Sequence, residues 1–129
     1  VFFKLIKASI AKNKKIYLNS FRKYKTNYTT ERDFVDVDDV AKIIVKTLYI
    51  KKKNVVLNCG TGVKTKIIDL INLFENTLKI KFNIILKKKP LSDPNSIIAS
   101  TKLFNRLFKS YKMKNIKNIK HDILKLFLL

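Results

Sequence analysis

Four acids, Asp33, Asp36, Asp38 and Asp39, stand within seven residues of a chain that has nine acids against 29 bases. They interrupt a short β-branched and aromatic run, Phe34-Val35-x-Val37, and Arg32 opens the segment. A guanidinium meets phosphate or carboxylate bidentately and keeps its charge at any physiological pH. An arginine and a carboxylate delivered to one end of a helix therefore suit an anionic, hydroxyl-bearing ligand. The same acids also suit a strand-to-helix junction, where carboxylates accept backbone N–H bonds and complement the helix dipole. That structural role is the one expected for Asp33 and Asp39. Acid–base or metal chemistry by paired carboxylates is disfavoured, since neither His nor Cys lies near them in sequence.

Other reactive residues are few. Gly60-Thr61-Gly62 has two glycines but lacks the rest of a phosphate-binding loop, so a tight strand-to-helix turn is the better reading. Cys59 is the single cysteine, which rules out an internal disulfide and makes a reducing compartment the default. A small buried side chain is expected there. His121 stands alone and reads as solvent-facing.

The elements that must position these residues follow from hydrophobic spacing. Residues 2–12 place Phe2, Phe3, Leu5, Ile6 and Ile10 on one helical face. Ile16-Tyr17-Leu18 reads as a short strand, residues 19–31 as a loop, and Arg32–Val37 as a second strand. Asp38 or Asp39 is expected to cap a helix bearing Val40, Ile43, Ile44, Thr47 and Leu48, closed by Lys51-Lys52-Lys53. The apolar run Val55–Cys59 suits a strand buried on both faces. Thr65 is expected to cap the clearest helix, with Ile67, Ile68, Leu70, Ile71, Phe74 and Leu78 at helical spacing. Phe82–Leu86 reads as a strand, and residues 87–95 hold Pro90 and Pro94 and read as a loop. Ser100 is expected to cap a helix bearing Leu103, Phe104, Leu107 and Phe108, and a final helix runs from about His121 to Leu129. Strands alternate with helices, which favours an α/β arrangement, although the strands are short and need not share one sheet.

Composition narrows the class. At 129 residues the chain is one domain or part of one, and 47% hydrophobic content is enough for a core. No apolar run reaches 18 residues, and the N-terminus lacks the pattern of a signal peptide, so a cytoplasmic location is expected. The absence of an initiator Met suggests a processed or truncated chain. The formal charge of +20 would suit nucleic acid or another polyanion. Yet Arg22, Arg32 and Arg106 are the only arginines among the bases, and the lysines are scattered through every segment. A nucleic-acid module more often uses arginine for bidentate contacts, so that partner is disfavoured.

Several segments together resemble one family. Arg32-Asp33-Phe34-Val35-x-Val37-x-Asp39-Val40-Ala41 resembles the R-D-[FY]-[IV]-x-V-x-D-[LV]-A segment of extended short-chain dehydrogenases. These are the NAD-dependent epimerases and dehydratases of nucleotide sugars. Leu57–Gly62 is similar to their N-[LIC]-G-[TAS]-G strand end, and Thr65–Ile71 to the S-V-x-[ED]-[LV]-[IV] helix start after it. Lys89-Pro90-Leu91-Ser92-Asp93-Pro94 resembles their R-x-G-D-P loop, and Ala99-Ser100-Thr101-Lys102 their A-D-x-[ST]-K. Tyr24-x-Thr26 resembles the Y-x-T loop of UDP-glucose 4-epimerases. The likeness runs from about Phe3 to the end.

The resemblance implies a C-terminal portion of such an enzyme, residues 1–129 forming a single partial domain. That portion would comprise a late Rossmann strand, Val55–Cys59, with helices and a small α/β substrate-binding subdomain. It implies that Arg32 binds the diphosphate of a nucleotide sugar, expected to be UDP-linked because the resemblance is most like UDP-glucose 4-epimerases. Asp93 would take the ribose hydroxyls, and Lys89 or Lys88 would stand where the family has a second arginine. It also implies NAD and a possible homodimer in the intact enzyme. No catalytic, cofactor-binding or metal residue is expected in this chain. The family's Gly-x-x-Gly-x-x-Gly loop is not here, and Tyr49-x-x-x-Lys53 falls at a helix end rather than mid-helix. The cofactor half would then be the partner. The departures are Arg22 where a turn glycine is expected, Ser100 for the usual aspartate, one extra residue before Asp93, and no tryptophan. The alternatives are a basic module binding polyanions and an inactive truncated product.

Overall fold

The computed structural model describes residues 1–20, 29–51, 54–116 and 119–127. Arg22, Tyr24 and Thr26, the end of the lysine run at Lys52-Lys53, and Leu129 lie outside them. The order is α1 (Phe2–Ile10), β1 (Lys15–Ser20), β2 (Glu31–Arg32), α2 (Val37–Thr47), β3 (Thr65–Lys66), α3 (Ile67–Leu78), β4 (Asn83–Lys88), β5 (Ser96–Ile97), α4 (Lys102–Leu107) and α5 (Lys120–Lys125). The α/β class expected from the alternating pattern is what forms. No described helix is long and apolar enough to cross a membrane.

Two small sheets replace one continuous sheet. β1 and β4 pair in parallel, in register from Lys15 opposite Asn83 to Ser20 opposite Lys88. β2 pairs antiparallel with β3 and parallel with β5, so Arg32 stands opposite Thr65 on one side and Ile97 on the other. Strands of two residues carry no readable period, which is why β3 and β5 escape the hydrophobic pattern.

The core lies between α3 and the β1/β4 pair. Leu5 and Ala8 of α1, Ile16 and Leu18 of β1, Leu70, Ile71 and Phe74 of α3, and Ile123 of α5 are buried together. Phe74 is fully enclosed, and the Phe2 ring packs edge-on against both Phe74 and Phe34 at 5.9 and 5.7 Å. Phe3 and Ile10 turn outward, because the buried stripe of α1 runs through Leu5 and Ala8. Glu75 ties the end of α3 to the start of β4. Its buried carboxylate accepts from the Phe82 N–H at 2.8 Å and from Lys81 Nζ at 2.9 Å.

Four local expectations are corrected. Asp36, not Asp38 or Asp39, caps α2, accepting from the Asp38 N–H at 2.9 Å. The β2 strand ends at Arg32, and Val37 already belongs to α2. Lys66 rather than Thr65 occupies the cap position of α3, because Thr65 is held in the β2/β3 ladder. Thr101 rather than Ser100 takes the cap position of α4, without a side-chain bond. A fifth concerns residues 55–59. They alternate between half-buried and exposed, as a strand would, but join no ladder among the described residues. Val56 is 89% exposed, so the run is not buried on both faces.

Candidate functional site

Arg32 and Asp93 are 61 positions apart and meet directly. Arg32 Nη2 donates to Asp93 Oδ1 at 2.5 Å. β2 presents the arginine, and pairing with β5 draws the Pro90–Pro94 loop toward it. Two further bonds frame the guanidinium: Nη1 donates to the Glu31 carbonyl at 2.7 Å and to the Pro94 carbonyl at 3.2 Å. Lys89 Nζ folds back over the same loop, donating to the carbonyls of Asp93 and Pro90. The three residues expected to bind a ligand thus lie in one place.

Arg32 and Asp93 also border a cleft of about 490 Å³, beside Asn19, Thr30, Tyr17 and Lys87. The Arg32 and Asp93 side chains remain 23% and 27% exposed, so the pair is reachable from solvent. A cation adjoining a carboxylate at the rim of a cleft can take an anionic group and a vicinal diol side by side. Lys87 extends the positive rim, its Nζ lying 4.1 Å from the centre of the Tyr17 ring. Asn19, Tyr17 and Lys87 escaped the sequence reading. The one available signal was the alternation along β1, which puts Tyr17 and Asn19 on one face.

Asp33 has a different task. Its Oδ1 accepts from the Thr61 N–H at 3.0 Å and from Thr61 Oγ1 at 2.5 Å. Its Oδ2 accepts from the Gly62 N–H at 2.8 Å and the Ala99 N–H at 3.2 Å. One carboxylate therefore braces the Gly60–Gly62 turn against the segment entering α4. It acts across the fold rather than at the start of α2. This also decides what the Gly-Thr-Gly turn can hold. Two amides that a phosphate would need are already donated to an internal anion. A Cβ on Gly60 would lie 2.2 Å from Ala99 Cβ and 2.7 Å from Asp33 Oδ2, so the backbone there is packed against protein rather than open to a ligand. Gly62 sits at φ +72°, which glycine adopts without strain. The turn therefore does not fit a cofactor pyrophosphate.

Asp39 is buried and accepts from Tyr111 Oη and the Lys114 N–H, both at 2.6 Å. The hydrogen bond to Asp39, with burial second, pushes the Tyr111 phenol up to about 12. Burial raises the Asp36 carboxyl, but the Asp38 N–H and the Lys114 ammonium outweigh it and leave the group below its ordinary value. Lys114 bridges Asp36 and Asp122. Asp39 is structural, as expected, but it binds Tyr111 and Lys114 rather than its own helix, whereas Asp36 both caps α2 and pairs with Lys114. Burial, with the carboxylates of Asp39 and Asp33 nearby, pushes the Cys59 thiol up, away from reactive thiolate character. No group of three metal-ligating side chains occurs among the described residues. Tyr49 is 81% exposed beyond the end of α2 and not within a helix, and Lys53 lies outside the described residues.

The fold is that of the C-terminal portion of an extended short-chain dehydrogenase, the architecture of NAD-dependent sugar epimerases and reductases. Among solved structures, the Bacillus cereus UDP-glucuronic acid 4-epimerase, in complex with UDP-glucuronic acid and NAD, superposes with a TM-score of 0.77 at 21% identity. The match covers 98% of this chain and 40% of that one. The Bifidobacterium longum UDP-glucose 4-epimerase, in complex with NAD+ and UDP, also gives 0.77 at 21% identity, over 93% of this chain and 36% of that one. The Campylobacter jejuni UDP-Glc/GlcNAc 4-epimerase gives 0.71 at 19% identity, over 96% and 39%. The chain thus spans well under half the length of the structures it resembles. No family model matches it, and no curated protein does.

Proposed function

We propose that this chain is the nucleotide-sugar-binding part of an NAD-dependent sugar epimerase or dehydratase of the UDP-glucose 4-epimerase type. The observation that carries the reading is the meeting of Arg32 and Asp93 at the rim of a cleft, with Lys89 Nζ bonded to the Asp93 carbonyl beside them. In this reading Arg32 grips the diphosphate, Asp93 accepts from the ribose hydroxyls, and Lys89 adds a second positive charge without a fork. Arg32 already bonds two carbonyls and Asp93, so its orientation is fixed before ligand arrives.

In the intact enzyme a bound NAD would supply the hydride chemistry, at a site the described residues of this chain do not form. The residues of this chain would hold the nucleotide end. Among the described residues the Gly60–Gly62 turn offers no cofactor site, since the Thr61 and Gly62 amides are donated to Asp33. The 129-residue chain alone is expected to take up no NAD.

The deciding experiment is calorimetric titration of the chain with UDP. Arg32→Ala should weaken binding at least tenfold, and Arg32→Lys should recover only part of it, because lysine keeps the charge and loses the fork. UDP affinity that is unchanged in Arg32→Ala would sink the reading.

A further inference from the structure

The last turns of α2 and α4 bring Lys46 and Arg106 to one open cleft of about 630 Å³, with Lys109 just beyond α4. Phe108, Ser110 and Tyr111 complete its wall, and no carboxylate lines it among the described residues. The cleft shares no residue with the one beside Arg32 and Asp93. Helix carbonyls favour cations at a C-terminal end, which lets these gather without acids. Neither the Arg106 guanidinium nor the Lys109 ammonium has a partner among the described residues. Arg106 thus keeps its donor fork free, whereas Arg32 donates to Glu31, Pro94 and Asp93.

The wall behind these cations is fixed. Tyr111 Oη donates to Asp39, and Lys46 Nζ, two turns further along α2, lies 5.7 Å from the centre of the Tyr111 ring. That ring meets Phe104 edge-on at 6.3 Å, and the buried Phe104 packs on Phe108 at 5.3 Å. The Phe108 carbonyl accepts from the Tyr111 N–H at 2.9 Å, so a tight turn carries Lys109 and Ser110 outward to solvent. The oxygens of Asp39 are taken by Tyr111 and the Lys114 N–H, which leaves the cations of the cleft without a counter-charge in contact.

We infer that this cleft is a second anion site, which takes a phosphate-bearing ligand on Arg106 with Lys46 and Lys109 flanking it. The site goes beyond the nucleotide-sugar reading and stands without it. Lysines scattered over a chain of +20 attract anions without orienting them. A free guanidinium fork does orient them, and Arg106 is one of only three arginines in the sequence. The Ser110 hydroxyl can donate to a further oxygen. No acid opposes an incoming phosphate there, in contrast to Asp93 beside Arg32. One fork and two ammoniums around a single cleft suit a compact group with several charged oxygens. An acidic peptide would instead spread single charges along the surface.

The test is titration of the 129-residue chain with inorganic pyrophosphate, followed by two-dimensional amide NMR. Salt is held at about 150 mM, where screening within about 8 Å suppresses distant charges. The amides of residues 106–111 are expected to shift and saturate, in the wild-type chain and equally in Arg32→Ala. Arg106→Ala should weaken that binding about tenfold or more, the loss expected for a charge-assisted hydrogen bond. Arg106→Lys should recover only part of it, and Lys109→Gln should weaken binding by a smaller factor. Lys102→Ala removes an exposed charge of α4 outside the cleft and should change affinity by less than about twofold. Arg106, Lys109 and Lys102 are all exposed, so these variants should keep the wild-type melting profile. Equal losses in Lys102→Ala and Arg106→Ala would reduce the binding to net charge and overturn the inference. So would shifts that disappear in Arg32→Ala and persist in Arg106→Ala, which would leave the other cleft as the binding site. Residues 106–111 that respond to an oligoglutamate peptide and not to pyrophosphate would also overturn it, and would mark a surface for an acidic protein.

Discussion

Replacing Asp33 by asparagine tests whether one carboxylate braces the turn and the segment entering α4. The substitution keeps the shape of the side chain. An amide oxygen in the place of Oδ1 can still accept from Thr61. An amide nitrogen in the place of Oδ2 would face the N–H groups of Gly62 and Ala99, which now donate to it at 2.8 and 3.2 Å. Flipping the amide only moves the conflict to Thr61. A hydrogen bond to a charged group contributes about 1.5–3 kcal/mol, so losing two gives an upper range of about 3–6 kcal/mol. Part of the cluster is open to water, which can take over one donor, so a loss of about 3 kcal/mol is the working expectation. For a chain of this size that lowers the melting temperature by about 10 °C. Urea unfolding followed by far-ultraviolet circular dichroism measures it, with Asp69→Asn as the comparison. Asp69 is exposed in the first turn of α3, and its substitution should change stability by less than about 1 kcal/mol. If Asp33→Asn unfolds within about 0.5 kcal/mol of wild type, the bracing argument is wrong.

Gly60→Ala should lower stability by about 1–3 kcal/mol in the same assay, because the new methyl would sit 2.2 Å from Ala99 Cβ and 2.7 Å from Asp33 Oδ2. A neutral outcome would mean that the turn moves away freely. The Tyr111 phenol, held up at about 12 by Asp39, favours the folded state below its unfolded value of about 10. Stability should therefore fall as pH rises from about 10 to 12. Tyr111→Phe should flatten that part of the profile, and an unchanged slope would remove Asp39 as the cause. Raising salt from about 50 to 200 mM should weaken DNA binding by about a thousandfold if it rests on many phosphate contacts, while UDP, with two phosphates, should lose only a few-fold. A UDP affinity that falls as steeply as that for DNA would make the cleft an unspecific polyanion surface.

The residues that meet at the cleft were legible as motifs long before they were legible as neighbours. Arg32 stands out as a lone arginine ahead of an acidic run, and Asp93 as a carboxylate between prolines. Their contact across 61 positions depends on the two-residue strands β2 and β5, and no hydrophobic period exists at that length. Asp33 shows the same limit. Its chemistry as a cap-type acceptor was readable, but its donors at Thr61, Gly62 and Ala99 are remote in sequence. The long helices were easier. α3 lies where the apolar spacing puts it, because Leu70, Ile71 and Phe74 must share one buried face. α2 was misread for a physical reason. Its sequence offers two apolar stripes, and spacing alone does not say that Ile43 turns inward while Ile44 and Leu48 face solvent.

The abundance of lysine makes the lone arginine more informative. Scattered positive charge on a chain of +20 attracts any anion and orients none. Selecting a diphosphate requires a donor fork held at a fixed angle, and Arg32 has one, held by two carbonyls and Asp93. The partner carboxylate looks like an obstacle, since an incoming phosphate is repelled by it. That repulsion has a use in discriminating ligands. A bare polyanion gains the lysines and loses against Asp93. A ligand that pairs its phosphate with a diol can satisfy Arg32 and Asp93 together, because the hydroxyls donate to the acid that the phosphate alone would oppose. On the proposed reading, an ion pair at the cleft rim would favour nucleotides over phosphate backbones, where net charge by itself would favour the reverse.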